Sequence, residues 1–231
     1  MFKLSKLDLT YGDKNVLSDI SLSIQPGEVV ALVGESGCGK STLMAHLRSL
    51  KPKQVAWCPQ QNGLVPALSV FHNIYAGTLD THNTLYNLRT LVWPSVAELN
   101  KVAKIADKLA LSKQLKISVD QLSGGQQQRV NIARAMIQSR PVFLGDEPVS
   151  ALDEYQGPSI MRTIIAEHET CVFALHDLDL ALSCCRRIIG IGNHNGIGRI
   201  LFDTNAEDIR DQQLAQIYHH HPAPGHTKEH A

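Results

Sequence analysis

Three stretches of the chain hold residues whose types and spacing could do chemistry. The first is GESGCGKST, Gly34 to Thr42, which fits G-x-x-x-x-G-K-[ST]. Gly34, Gly37 and Gly39 permit backbone conformations in which successive N–H groups turn inward around an anion. Glu35, Ser36 and Cys38 supply the backbone between them. The Lys40 ammonium can reach β- and γ-phosphates, the Ser41 hydroxyl can ligate Mg²⁺, and Thr42 completes the motif. A helix beginning near Lys40 would add its partial positive end. The second stretch, VFLGDEP, puts Asp146 and Glu147 at the end of an apolar run. A carboxylate at Asp146 suits a hold on Mg²⁺, and one at Glu147 can polarise an attacking water as general base. The third is CVFALHD, closed by His176. This is chemistry on a nucleoside triphosphate. The absence of a good [NT]-K-x-D motif favours ATP over GTP.

Such residues work together only if their strands end on one edge of a sheet, where ligands bind in α/β folds. The sequence meets that need. EVVALVG, PVFLGD, CVFAL and RIIGI are continuous apolar runs of the kind found in buried parallel strands. Ile20, Leu22 and Ile24 alternate with serines as in a half-buried strand, and Gln25-Pro26-Gly27 makes a turn. Leu43, Leu47 and Leu50 share one helical face, as do Val102, Ile105, Ala106 and Leu109. Strands alternating with helices predict an α/β fold with a mainly parallel sheet. From about Asn62 to Arg140 the pattern is helix and loop, read as a helical subdomain inserted in the α/β core. Gly145, inside an apolar strand, marks a close backbone approach. The polar tail from His219 is expected to be disordered.

Composition narrows the classes. Among 231 residues, Lys plus Arg and Asp plus Glu both total 22, so the formal net charge is zero. No basic excess points to nucleic acid. No run approaches the roughly 20 apolar residues of a membrane span, and the N-terminal residues lack a signal peptide's apolar centre. A cytoplasmic location is expected. The five cysteines show no metal-type spacing and read as reduced thiols.

One run stands apart. LSGGQQQRV, Leu122 to Val130, has no acid, thiol or histidine, and two glycines sit just before a helix. With the phosphate loop, CPQQ (Gln60), VFLGDE, SALD (Asp153) and His176 in this order, it resembles the ATP-binding subunits of ABC transporters over about residues 2–218. The resemblance implies a P-loop ABC ATPase fold and a head-to-tail pair of cassettes sandwiching two ATPs. Tyr11 would stack on adenine. Gln60 would contact Mg²⁺ and the attacking water and sense the membrane partner. Asp153 would signal across the dimer, and His176 would be the switch at the γ-phosphate. Ser123, Gly125 and Gln126 would bind the γ-phosphate held by the other protomer. Permease subunits and a solute-binding protein are the further partners implied. QQNGLVPALSVFHNIYAGTL and the end LAQIY look like ATPases of phosphonate-type importers.

The pattern is broken in one place. Only about 20 positions separate Lys40 from Gln60, where the family has roughly twice as many, so the antiparallel β subdomain should be reduced. Cys38 lies inside the phosphate loop, and its alkylation is expected to block nucleotide. Rival readings are an ABC ATPase of an export or lipid-extraction system, one that serves no transporter, and a nucleotide-binding regulator without turnover.

Overall fold

The computed structural model describes residues 1–217; the tail expected to be disordered lies outside them. A hairpin of β1 (Phe2–Tyr11) and β2 (Lys14–Ile24) comes first, followed by β3 (Val29–Val33) and α1 (Lys40–Leu50). A turn leads straight to β4 (Val55–Cys58), so no further strand lies between α1 and β4. Next come α2 (Val70–Tyr75), α3 (Thr84–Val92), α4 (Val96–Lys108) and α5 (Gly124–Met136). The described residues close with β5 (Val142–Asp146), α6 (Gln156–Glu167), β6 (Thr170–Leu175), α7 (Leu178–Cys184), β7 (Arg187–His194), β8 (Ile197–Asn205) and α8 (Asp211–Ile217).

The strands form one sheet in the order β1-β2-β8-β7-β3-β6-β5-β4. β1 with β2 and β7 with β8 pair antiparallel; every other neighbouring pair is parallel. Each apolar run read as a strand is one. The sequence reading passed over β1, β4 and β8. In β1 the burial is irregular because the register with β2 shifts three times, so period-2 alternation is lost. β4 is too short for a period to show.

Alternation within the central strands sends side chains to two cores, one on each face of the sheet. Val30, Leu32, Leu144 and Val172 pack with Leu43, Met44 and Leu47 of α1 and with the β1–β2 hairpin. Ala31, Val33, Phe143 and Phe173 pack with α5, α6 and residues of the helical insert. Leu43, Leu47 and Leu50 lie at i, i+4 and i+7 of α1 and so share one face. Leu43 and Leu47 are fully buried, and Leu50, the last residue of the helix, is 48% exposed. Gly145 does meet close neighbours, but they are side-chain atoms of Phe143, Pro148 and Phe173 rather than backbone.

Between β4 and β5 the chain is mainly helical, and side chains at the helix starts cap it. Ser69, Asn83 and Ser95 each accept a backbone N–H at the starts of α2, α3 and α4. α5 runs along β4 and shares the Phe143 core, so it belongs to the sheet layer as much as to the insert.

His168, at the end of α6, is buried against the Phe143 ring with Nδ1 at 2.9 Å from the Ile164 carbonyl. Burial holds its pKa below the ordinary 6.5. A base whose folded pKa is depressed stabilises the fold above its unfolded pKa; that stability is lost as pH falls through the folded value. Urea unfolding between pH 8 and 5 should show a decline below about pH 6.5 that His168→Gln flattens. Equal slopes for both proteins would exclude His168 as the group responsible.

Candidate functional site

Parallel register puts four strand ends on one edge. Val33 pairs with Leu175, Ala174 with Asp146, and Gly145 with Cys58. The residues just beyond these ends are Gly34, His176, Glu147 and the Pro59–Gln60 step. The candidate residues therefore converge because of pairing that the sequence encodes as apolar runs.

The phosphate loop is tightly seated. A Cβ on Gly34 would lie 2.1 Å from the Ile191 carbonyl oxygen. Gly39, with φ +103°, is the N-cap of α1, and a Cβ there would lie 2.7 Å from the Leu17 side chain. Neither position has room for any other residue. Lys40 is buried, and its Nζ donates to the carbonyls of Gly34 (2.7 Å) and Glu35 (3.0 Å). This holds the ammonium across the loop. Glu35, Ser36, Gly37 and Ser41 are exposed, and Thr42 is half-buried.

Opposite the loop, Glu147 has φ +50°, a left-handed conformation uncommon for a residue with a side chain. Its amide donates to Ala174 O at 3.0 Å. Its carbonyl accepts from Gln128 Nε2 at 2.8 Å and from Ser150 Oγ at 3.2 Å. The carboxylate accepts from Gln60 Nε2 at 3.0 Å and makes a very short ion pair with His176 Nε2. Gln60, Glu147 and His176 are thus brought together in one constellation. Gln128 was not singled out in the sequence. Its signal was position alone: it lies on α5 five residues past Ser123, where a buried amide needs partners.

Asp146 is 4% exposed, and its Oδ1 is buried without a hydrogen-bond partner. Burial raises its pKa, and Glu147 adds to the rise; a hydrogen bond with Ser41 and the charges of Lys40 and His176 oppose it. A desolvated carboxylate with an orphaned oxygen beside a serine hydroxyl fits a hard divalent cation such as Mg²⁺. Asp146, Ser41 and the nearby Gln60 amide are the oxygens this edge offers.

A cleft of about 570 Å³ opens beside Glu147 and His176. Its walls carry Glu147, Asp153, Glu154, Asp177 and Asp179. That concentration of carboxylates repels a polyphosphate, which argues against this cleft as a seat for phosphates.

Tyr11 lies at the tip of the hairpin, 81% exposed. Asp153 caps α6, accepting the amides of Tyr155 (3.1 Å) and Gln156 (2.8 Å). Ser123 is the N-cap of α5. Its Oγ accepts from Gln126 N at 3.3 Å, and Gln126 Oε1 accepts from Ser123 N at 3.0 Å, a capping box. Ser123 and Gly124 are exposed, and nothing lies within 4 Å of a Cβ on Gly124. Gln126, expected to contact nucleotide, turns its side chain to its own helix end.

A family model described as ABC transporter matches residues 17–53 and 46–150. The chain belongs to the ABC transporter ATPase family. A protein named phosphonates import ATP-binding protein PhnC 1, from Trichodesmium erythraeum, is 34% identical, covering 94% of this chain and 95% of its own. The PhnC of Frankia casuarinae is 34% identical over 90% and 92% of the two chains. Among solved structures, the dimeric structure of a bacterial ABC transporter cassette has a TM-score of 0.74 at 24% identity, covering 90% of this chain and 100% of that one. A cassette described as a dimeric post-hydrolysis state bound to ADP and Pi has a TM-score of 0.73 at 24% identity, covering 90% and 99%. These structural likenesses establish the fold: an ABC cassette whose mixed sheet is largely parallel. The chain is an ABC ATPase, and its family binds nucleotide. Among the described residues no helix is long and apolar enough to cross a membrane.

Cys38 is less accessible than its place in the loop suggests. The thiol is 1% exposed, and burial raises its pKa. The thiolate is the reactive form, so the folded protein shields Cys38. All five cysteines are free thiols, and Cys58 is pushed up to about 12. N-ethylmaleimide at pH 7 should leave Cys38 unmodified in native protein and label it in urea, as read by peptide mass. Rapid native labelling at Cys38 would contradict this burial.

Proposed function

We propose that this chain binds and hydrolyses ATP on the cytoplasmic face of a membrane and drives import of a small anionic solute of the phosphonate or phosphate type. The observation that carries the catalytic half is the Glu147 carboxylate, held between Gln60 and His176 beside Asp146 and the phosphate loop. The solute class rests on the names of the relatives.

In this reading the N–H groups of Gly34–Thr42 and the Lys40 ammonium bind the β- and γ-phosphates, and Tyr11 stacks on adenine. Mg²⁺, held by Ser41, Asp146 and Gln60, would neutralise charge on the β- and γ-oxygens. Glu147 takes a proton from the water that attacks γ-phosphorus in line. Its bonds to Gln60 and His176 fix the direction from which it does so. His176 faces the γ-phosphate oxygens and stabilises their charge.

Ser123 and the N–H groups near Gly125 complete the site of a second cassette, either another copy or a homologue. An exposed helix N-terminus with an open glycine turn is an anion site without an anion of its own. ATP then joins the two cassettes and hydrolysis separates them, with Asp153 signalling across the joint. Membrane permease subunits receive that motion, and a solute-binding protein delivers cargo. Nucleic acid has no part in it.

Two variants test this. Glu147→Gln should retain ATP binding, lose at least ~100-fold in kcat, and accumulate an ATP-bound dimer on size exclusion. Turnover at the native rate would sink the assignment of the base. Gly125→Asp adds a carboxylate beside the partner's phosphate, 3.2 Å from Ala151 O at its Cβ. Hydrolysis should vanish while monomer ATP affinity stays within ~2-fold. An equal loss of monomer affinity would place the loop in its own chain's site.

A further inference from the structure

α5 carries more than the Ser123 turn. Gln128, Asn131 and Arg134 follow one another at three-residue intervals and so line one strip of the helix. All three bind the loops of the site. Gln128 Nε2 holds the Glu147 carbonyl at 2.8 Å, and its Oε1 accepts the Ala151 amide at 2.5 Å. Asn131 Nδ2 donates to Pro59 O at 3.0 Å and approaches Cys58 Sγ at 3.3 Å. The Arg134 guanidinium donates to Gly63 O at 2.8 Å, to Asn62 O in a very short bond, and to Asn131 Oδ1 at 2.8 Å. Carbonyls on both sides of Gln60 in the chain are therefore gripped by the helix that begins at Ser123.

We propose that Arg134, with Asn131, is a positioning residue for Gln60. The pair fixes the Pro59–Gly63 loop so that the Gln60 amide meets the Glu147 carboxylate. This rests on the reading of Gln60 as a participant in hydrolysis. The chemistry of the grip is particular. A planar guanidinium spans two carbonyls and an amide oxygen at once, which a lysine ammonium on its single flexible stem does not reproduce. From Gly125 to Arg134 every residue of the helix is buried or half-buried. Eleven residues of helix, at ~1.5 Å each, make a stiff strut of roughly 17 Å. The helix thereby joins the Ser123 turn to the loop that carries Gln60.

The test is a double-mutant cycle on the full-length chain, with kcat and KM for Mg-ATP as readouts. Arg134→Ala should lower kcat by ~10-fold, the scale expected when a reacting group is misplaced by a fraction of an ångström, with KM changed less than ~2-fold. Gln60→Ala should also be slow, and Gln60→Ala/Arg134→Ala should be no slower than Gln60→Ala alone. Arg134→Lys should not restore the rate. If Arg134→Ala fails to fold, Asn131→Ala enters the same cycle with the same expectation. Losses that multiply, or a rise in KM at unchanged kcat, overturn the positioning role while leaving Gln60 in place. If Gln60→Ala alone turned over at the native rate, the reading of Gln60 and the positioning role would fall together.

Discussion

The site depends on where Glu147 is held. Its backbone lies in a left-handed conformation that costs roughly 1–3 kcal/mol for a residue with a side chain. Such a conformation persists only when several contacts impose it. Here its amide is bound to β6, its carbonyl to α5 and its carboxylate to the loop after β4 and to His176. Three separate segments of the chain, β6 with the His176 that follows it, α5 and the loop after β4, agree on the placement of one residue. Without the bend after Asp146, the chain would continue in the strand direction and carry that carboxylate past the sheet edge.

The parallel register supplies the platform for this bend. β3 is flanked by β7 and β6 in parallel, and its carboxyl end opens directly into the glycine loop. Both faces of the central strands are covered, so they slip only by moving apolar side chains from one core to the other. Pairing of Val33 with Leu175 and of Ala174 with Asp146 is therefore fixed by burial, not by the polar residues it aligns. Packing and catalysis are separable here: the apolar runs set distances, and the residues just past them set chemistry.

That separation explains what could be read from the sequence. The four buried runs and the motifs following them were legible because each carries a local signature. β1 was not, because its bulges erase alternation, and β4 was not, because four residues are too few for a period. The exposure of Leu50 was not legible, because a helical face does not say where along the helix its cover ends. Cys38 sits in a loop that reads as open, yet Gly34 brings that loop against Ile191 and closes over the thiol. Gln128, Asn131 and Arg134 were missed for a different reason. Most of their partners are backbone groups, which leave no trace in residue types.

The capping box at Ser123 has a consequence for how α5 tolerates its work. Its hydroxyl and the Gln126 side chain satisfy amides that would otherwise face solvent, a service worth about 1 kcal/mol at a helix start. In the proposed pair of cassettes, an incoming γ-phosphate would offer this helix end a stronger acceptor. Its arrival would add an anion to an end the serine already covers, and its departure would leave that cover in place. The end of the helix would be shielded in either state, so α5 would not need to fray between turnovers. A strut that stays whole while its tip gains and loses an anion can be used again without refolding.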